Sequence, residues 1–306
     1  MDSENIRLLM SCCRVCPRNC GADRTRQPGT CGATGQIRVS RAALHQWEEP
    51  CLSGTRGSGA VFFNGCSLHC VYCQNAAISS RNSHSSGKEI TPERLAEIFL
   101  ELQGKGAHNI NLVTPTHYLP HIVRALESAR SRGLTVPVVY NTSGYEKAAA
   151  LKWLEGLVDI YLPDFKYMDP SRALKYSSAA DYPERAQEAL AEMVRQSPVP
   201  VLDEQGIMQK GVIVRHLLLP GGREDSMAVV RYLFETYGDS IYISLLKQYT
   251  PVNRETGYKE LNRKIRRSEY NRIVDYALSL GVRNAYIQEG GVAQESFIPD
   301  FGGQGV

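Results

Sequence analysis

The sequence predicts an α/β protein: a partial (β/α)6 TIM-like barrel with a small N-terminal cysteine-rich module. Three observations carry that prediction. From Ala60 onward, short apolar runs alternate about six times with stretches of helical period. The runs are apolar nearly throughout, as strands buried on both faces of a parallel sheet are. Polar and reactive residues gather just after the runs, where sites in parallel α/β folds lie.

Gly59-Ala-Val-Phe-Phe reads as the first buried strand, and Gly65 turns the chain after it. A polar bridge over 79–88 leads to a helix with Thr91 as N-cap and Pro92 at the first helical position. Leu95, Ile98, Phe99 and Leu102 share one face of that helix, and Gly104 and Gly106 end it. Strands follow at 109–114, 136–141, 158–162, 212–219 and 240–246. Between them lie a helix opened by Pro120, a helix near 145–154, helical stretches at 171–178 and 183–196, and a helix at 226–237. A last helix, capped by Ser268 and ended by Gly281, precedes an apolar run at 282–288. An open doubly wound sheet fits the same periodicity. No glycine-rich phosphate fingerprint follows the first strand, which counts against a nucleotide-binding Rossmann fold.

Three segments are expected: a cysteine-rich metal-binding module at 1–52, the barrel at 53–290 and a C-terminal tail at 291–306. Within the first, Ile37, Val39 and residues 43–47 suggest a short hairpin. The chain has 306 residues, 42% of them hydrophobic, which suffices for a sizeable core. A formal net charge of +3 indicates neither a nucleic acid nor a membrane partner. The N-terminus lacks the basic and apolar regions of a signal peptide, and no apolar run approaches the roughly 18 residues of a membrane span. The expected location is the cytoplasm, where thiols stay reduced. Nine cysteines in such a chain favour metal or cluster ligation over a disulfide framework.

Cys66, Cys70 and Cys73 stand in a C-x3-C-x2-C spacing directly after the first strand. Three thiolates on one tight loop can hold three irons of a 4Fe–4S cubane, leaving one iron open. A zinc knuckle using His69 as fourth ligand is the blander alternative. A second alternative is a non-catalytic iron–sulfur electron-transfer or sensor protein with Cys51 closing the cluster. Otherwise Cys51 is an ordinary buried thiol. Cys13, Cys16, Cys20 and Cys31 form a second set of four thiols, suited to zinc, a rubredoxin-like iron or a second iron–sulfur centre, with Cys12 spare.

The other strand ends carry Thr114 and Thr116, Asn141 and Ser143, Asp164 and Lys166, Arg215 and His216, and the run Lys247-Gln-Tyr249. Asp164 and Lys166, two apart on a strand end, face the same side. A plain salt bridge is the alternative role for that pair. His117 and His121 read as structural histidines. The basic run 263–267 reads as a solvated helix approach, with docking of an acidic electron donor as the alternative.

C-x3-C-x2-C after the first strand of a β/α repeat, with the aromatic Tyr72 before the last cysteine, resembles the radical S-adenosylmethionine (SAM) superfamily. The branch it is most similar to is that of the pyruvate formate-lyase activating enzymes. The resemblance covers roughly residues 57–288. Cys-Pro-Arg-Asn-Cys-Gly at 16–21, Asn-Leu-Val-Thr-Pro-Thr-His at 111–117 and Tyr-Leu-Pro-Asp-Phe-Lys at 161–166 resemble a less characterised iron–sulfur subgroup of activating-enzyme-like proteins. The resemblance implies a 4Fe–4S cluster on Cys66, Cys70 and Cys73, and SAM chelating the open iron. One-electron cleavage then yields methionine and a 5′-deoxyadenosyl radical that abstracts hydrogen. It also implies an oxidoreductase working under anaerobic conditions. Tyr72 would lie beside the adenine, Asn141 and Ser143 would reach SAM, and Asp164 and Lys166 would serve the ribose and the methionine carboxylate. Arg215 and His216 would face the cosubstrate. The family often places Gly-Gly-Glu after strand two. Here Thr114-Pro115-Thr116 stands there, with hydroxyls and carbonyls that can accept from the SAM ammonium. Implied partners are an electron donor such as flavodoxin or ferredoxin, and a substrate that is either a protein, as in glycyl radical enzyme activation, or a small molecule.

Overall fold

The computed structural model describes residues 2–81, 86–251, 257–288 and 299–306. The chain opens with helix α1 (Ser3–Ser11), whose Asp2 cap accepts from the Asn5 N–H at 2.8 Å. Strand β1 (Ile37–His45) follows, then the single turn α2 (Pro50–Ser53) and strand β2 (Ser58–Phe63), buried at every residue. After the cysteine loop come α3 (Ala76–Ser79), β3 (Lys88–Ile90) and α4 (Pro92–Gly104). Helix α4 begins as the sequence predicts: the Thr91 side chain accepts from the Arg94 N–H at 3.2 Å, and Pro92 takes the first helical position. Next are β4 (Ile110–Val113), α5 (Leu119–Ser131), β5 (Val138–Thr142), α6 (Ala148–Leu151) and β6 (Ile160–Pro163). The second half runs α7 (Pro170–Ser177), α8 (Tyr182–Gln196), β7 (Val201–Leu202), β8 (Met208–Leu217), α9 (Arg223–Tyr237), β9 (Tyr242–Leu246), α10 (Arg267–Leu280) and β10 (Ala285–Ile287).

The main sheet has the order β10-β9-β8-β6-β5-β4-β2-β1-β3. From β10 to β2 every pairing is parallel. This is an α/β fold on a parallel sheet. Six parallel strands fall where the apolar runs predict them, and the C-terminal run at 282–288 supplies a seventh, β10.

Several local expectations need correction. Residues 37–47 do not make a hairpin of their own. They form the long strand β1, antiparallel to β2 on one side and to β3 on the other. An edge of β2 left open would expose a row of unpaired backbone groups, and β1 covers it. Its apolar Ile37, Val39 and Ala42 are buried in the process. Helix α10 starts from Arg266 rather than Ser268, because the Glu269 carboxylate accepts from the Arg266 N–H at 2.9 Å and also takes both ends of the Arg263 guanidinium. That engagement ties Arg263 and Arg266 of the basic run into a helix start. The helix expected near 145–154 starts later, as α6 followed directly by a 3-10 turn at Lys152–Leu154, since residues 142–146 are taken up by a turn at the end of β5.

The expected boundary at residue 52 falls inside α2, while β1 on its N-terminal side lies in the main sheet. A single core joins Ile6, Met10 and Cys13 of the first segment to Phe63, Ile122 and Tyr140 of the β/α repeats. Residues 291–298 of the expected tail lie outside the described residues. Residues 299–306 run back along β1: Gly303 N–H donates to Ser40 O at 2.9 Å, Ala42 N–H donates to Gln304 O at 2.8 Å, and Phe301 packs edge-on against Phe62. No helix among the described residues is long and apolar enough to cross a membrane.

Candidate active site

Parallel strands bring their C-terminal ends to one side of the sheet, and a cavity of about 320 Å³ opens there. Cys66, Cys70 and Cys73 line it together with Tyr72, Thr114, Asn141, Ser143, Asp164, Lys166 and Arg215. Ten residues singled out along the sequence thus converge on one space.

The cysteine loop is built by a sharp exit from β2. Gly65 takes φ +93°, and its N–H donates to Ile78 O at 2.7 Å. Each sulfur then receives one hydrogen bond. Leu68 N–H donates to Cys66 Sγ at 3.3 Å, Ser177 Oγ to Cys70 Sγ at 3.1 Å, and Ser79 Oγ to Cys73 Sγ at 3.3 Å. Ser177 is also bonded to the Tyr167 hydroxyl at 2.9 Å, which meets the Tyr72 hydroxyl at 2.6 Å. A chain of hydroxyls therefore ties Tyr72 to the Cys70 sulfur and fixes the Tyr72 ring at the cavity wall. Burial, then the neighbouring Cys70 and Cys73, pushes the Cys66 thiol up to about 12, and burial followed by Cys70 raises Cys73. Three thiolates become stable here only with cationic metal to share. Among the described residues no three Cys, His, Asp or Glu side chains gather at single-ion spacing. A cubane sets a different demand, one thiolate on each iron.

His69 is turned away from the sulfurs. Its ring meets the carbonyls of Thr30 at 2.7 Å and Ser79 at 3.2 Å, so it is not placed as a fourth ligand. Cys51 is also elsewhere: it packs with Leu52, Ile160 and Ile213 in a separate apolar cluster. Leu52 beside it accepts from Asn109 at the start of β4, so this cluster lies by the N-terminal ends of the strands. A fourth thiolate from Cys51 is out of reach of the cavity that Cys66 lines.

The polar strand ends divide into two groups. Lys166 Nζ donates to Asp164 Oδ2 at 2.6 Å. Burial opposes the Lys166 charge, but Asp164 and Cys70 outweigh it, so its pKa lies well above the usual lysine value. The Tyr182 hydroxyl accepts from the Lys166 N–H and lies within 3.0 Å of the Ser143 and Asp164 carbonyls, which locks the ends of β5 and β6 together. Arg215 reaches Glu48 at 3.2 Å and Glu49 at 3.8 Å, and its Nη2 is buried with no partner among the described residues. Thr116 and His216, by contrast, are not at the cavity. Thr116 Oγ1 donates to Glu146 at 2.5 Å beneath the strand ends. His216 follows Arg215 on β8, and successive side chains of a strand face opposite sides. Its ring bonds Phe165 O at 2.7 Å and Ser226 Oγ at 2.9 Å. His117 and His121 are buried and bonded to the carbonyls of Asn64 and Gly35, at 2.6 and 2.7 Å.

Thr114 has φ +58°, a left-handed backbone for a β-branched residue. Such a conformation costs on the order of 1–2 kcal/mol, and it is held by the Thr114 N–H donating to Asn141 O at 2.8 Å. The position is the one where a glycine would be relaxed.

Several site residues escape sequence reasoning. Ser177 lies 107 positions from Cys70, and only the fold brings them together. Ser79 lies six positions after Cys73, across the α3 turn, and that short separation is a readable signal. Glu48 comes from the segment before β2, lines the cavity and accepts from Asn111 at 2.9 Å.

The radical SAM superfamily model matches residues 60–233, more than half of the chain. The chain belongs to that superfamily, whose members are enzymes that use SAM and a 4Fe–4S cluster for radical chemistry. Among particular proteins, it is similar to the uncharacterized protein MJ0674 of Methanocaldococcus jannaschii, with 25% identity over 280 residues, covering 90% of this chain and 76% of that one. The structure of Streptococcus suis SuiB bound to precursor peptide SuiA matches with TM-score 0.50 at 16% identity, over 72% of this chain and 46% of SuiB. SuiB bound to S-adenosylmethionine matches with TM-score 0.50 at 14% identity, over 74% and 48%. This chain spans about half the length of SuiB, and the likeness is one of fold. Methylornithine synthase PylB gives a TM-score of 0.44 at 16% identity, over 96% of this chain and 82% of PylB.

Two substitutions test this geometry. A Cβ at Gly144, where φ is +79°, collides with the Asp164 carbonyl oxygen. Gly144→Ala is expected to destabilise by at least ~2 kcal/mol in urea unfolding; an unchanged midpoint would contradict the tight β5–β6 approach. Glu146 is fully buried, and burial raises its carboxyl from the ordinary 4.5 to about 7, with the Thr116 and Thr142 hydroxyls pulling back. The stability its neutral form contributes is complete below pH 4.5 and is lost as pH rises through about 7. Relative to Glu146→Gln, the protein should lose about 2–3 kcal/mol between pH 5 and pH 8.5, read from unfolding at the two pH values.

Proposed function

We propose that this protein is a radical SAM enzyme of activating-enzyme-like type, with its 4Fe–4S cluster on Cys66, Cys70 and Cys73 and SAM in the adjoining cavity. The observation that carries the reading is the convergence of these three thiols with Tyr72, Asn141, Asp164, Lys166 and Arg215 around one cavity of about 320 Å³. The residues fit both groups. Buried thiols that cannot ionise alone suit a metal cluster. The Nη2 of Arg215 and the Oδ1 of Asn75, both buried and without a partner among the described residues, suit a polar ligand.

When bound, cluster and SAM supply a 5′-deoxyadenosyl radical for hydrogen abstraction. The chain's own part is orientation, charge and dryness. Tyr72, pinned through its hydroxyl, offers its ring to the adenine. Asp164 and Lys166 present an acceptor and a donor suited to the ribose and the methionine carboxylate. Thr114, Asn141 and Ser143 offer hydroxyls, an amide and backbone carbonyls to the ammonium and ribose. Glu48 and Glu49 hold Arg215 charged and in place. Pro299 and the β1-side residues His45 and Trp47 complete the wall, limiting water at the reacting end. Thr116 and His216 act behind this wall, supporting Glu146 and Phe165.

A cavity of this size leaves little room beyond SAM, so the substrate presents a small group at the mouth. A glycine within a peptide fits that description, as does a compact small molecule. SuiB, of similar fold, has been solved with a precursor peptide, and we place the substrate among peptides and proteins, including glycyl radical enzymes. An external one-electron donor of flavodoxin or ferredoxin type and a reducing, cytoplasmic setting complete the reading. The nine cysteines, none in a disulfide, suit that setting.

Anaerobically reconstituted protein given dithionite and SAM should release 5′-deoxyadenosine and methionine, and Cys66→Ala should abolish release. Iron bound by the three cysteines with no SAM cleavage would overturn the reading. Ser177→Ala removes the donor to Cys70 Sγ and should lower the cluster potential by on the order of 40 mV, equivalent to about 1 kcal/mol. An EPR-monitored redox titration showing no change would remove Ser177 from that role.

A further inference from the structure

Arg24 is a buried cation with an unusual set of partners. It is 1% exposed. Its guanidinium donates to the carbonyls of Ala33 at 3.1 Å, His117 at 2.5 Å and Thr34 at 2.6 Å, and reaches Cys13 Sγ at 3.6 Å. Carbonyls satisfy its N–H groups but bring no net charge. Among the described residues no carboxylate pairs with it, and of its bonding partners only the Cys13 sulfur can carry negative charge. An uncompensated buried charge is strongly destabilising. The counter-charge therefore has to come from sulfur.

Backbone pairing gathers the N-terminal thiols on the side of the structure where that guanidinium lies. Gly21 N–H donates to Cys13 O and Cys13 N–H to Ala22 O, both at 3.0 Å, which folds the Cys20 end back onto Cys13. Cys20 Sγ lies 4.0 Å from Cys13 O. A turn closed by Asn19 N–H on Cys16 O at 3.1 Å sets Cys16 in the loop between Cys13 and Cys20, and Cys20 Sγ lies 3.6 Å from where a Cβ on Gly29 would stand, two residues before Cys31. Cys13, Cys16 and Cys31 are buried, while Cys12 is exposed.

The same segment grips the catalytic loop. Cys31 O accepts from Cys66 N–H at 3.0 Å, and Thr30 O accepts from His69 at 2.7 Å. Arg18, between Cys16 and Cys20, donates to Ser67 O at 2.7 Å, Leu68 O at 3.2 Å and Ser177 O at 2.9 Å. These bonds reach the Cys66 loop and the residue that donates to Cys70.

We propose that Cys13, Cys16, Cys20 and Cys31 hold a second iron–sulfur cluster as a four-thiolate centre, that Arg24 balances its negative charge, and that the centre braces the Cys66 loop. Four thiolates around a cubane carry net negative charge, which suits a buried guanidinium. A lone zinc would need thiols at single-ion spacing, which no three of the described side chains show.

The test uses the full chain carrying Cys66→Ala, Cys70→Ala and Cys73→Ala, purified without oxygen, so that it does not depend on SAM chemistry. Iron, zinc and acid-labile sulfide are counted per chain. Retention of about four irons with sulfide supports the centre, provided it is lost when Cys13→Ser and Cys31→Ser are added. A folded triple variant, judged by near-UV circular dichroism, that retains no iron overturns it. Should that variant fail to fold, the unmodified protein decides. About eight irons supports the proposal, and about four irons, with or without zinc, overturns it. Arg24→Met should cut occupancy of the second centre several-fold while Arg24→Lys keeps most of it; equal occupancy in both would refute the charge-balancing role. Loss of the second metal should also lower iron loading at Cys66, Cys70 and Cys73, and unchanged loading would refute the brace.

Discussion

Three sulfurs crowded into a dry loop repel one another as soon as they ionise, and much of the structure answers that difficulty. Leu68, Ser79 and Ser177 each give one hydrogen bond to one sulfur. Lys166 lends a positive charge toward Cys70 and Cys73. These donors come from the loop itself, from α3, from α7 and from the end of β6, so the loop depends on most of the fold for its charge state. Low dielectric makes each such contact stronger and each missing one more costly. This explains why the Ser177 hydroxyl is itself positioned by Tyr167 and Tyr72 rather than left to rotate.

The interior of the sheet's open side carries an unusual load of charge: Asp164 with Lys166, and Arg215 with Glu48 and Glu49. Buried pairs of this kind contribute little net stability, because desolvation offsets most of the attraction. Their value is positional. Lys166 and Arg215 are held straight by their partners, and a zwitterionic ligand meets groups already oriented. Strain at Thr114 belongs to the same pattern, a cost accepted where the backbone turns into the cavity.

Much of this was legible in the sequence for physical reasons. Strands buried on both faces must be apolar throughout, so β4, β5, β6 and β9 announced themselves. The spacing of Cys66, Cys70 and Cys73 survives into the structure because a tight loop needs no help from distant residues to bring them close. Legibility failed where contacts are long-range or where facing decides. Arg215 and His216 are adjacent in sequence, and nothing local said which one faces the ligand side. Thr116 looked like a strand-end ligand but is drawn under the turn by Glu146. Strand β1 was misread because its apolar residues gave two short runs, and only the exposed edge of β2 explains why they join into one strand. Ser177 could not be found at all without the fold.

The way residues 299–306 lie along β1 also orders events in time. Gly303 and Gln304 complete the backbone bonding of Ser40 and Ala42, and Phe301 settles on Phe62, whose ring lines the cavity. During synthesis the β/α units emerge before the residues that close this side. The cysteine loop therefore passes through a stage in which its own walls stand but the flank formed by Pro299 and Phe301 does not. Cys66, Cys70 and Cys73 are more open to solvent in that interval than after residues 299–306 have zipped onto β1.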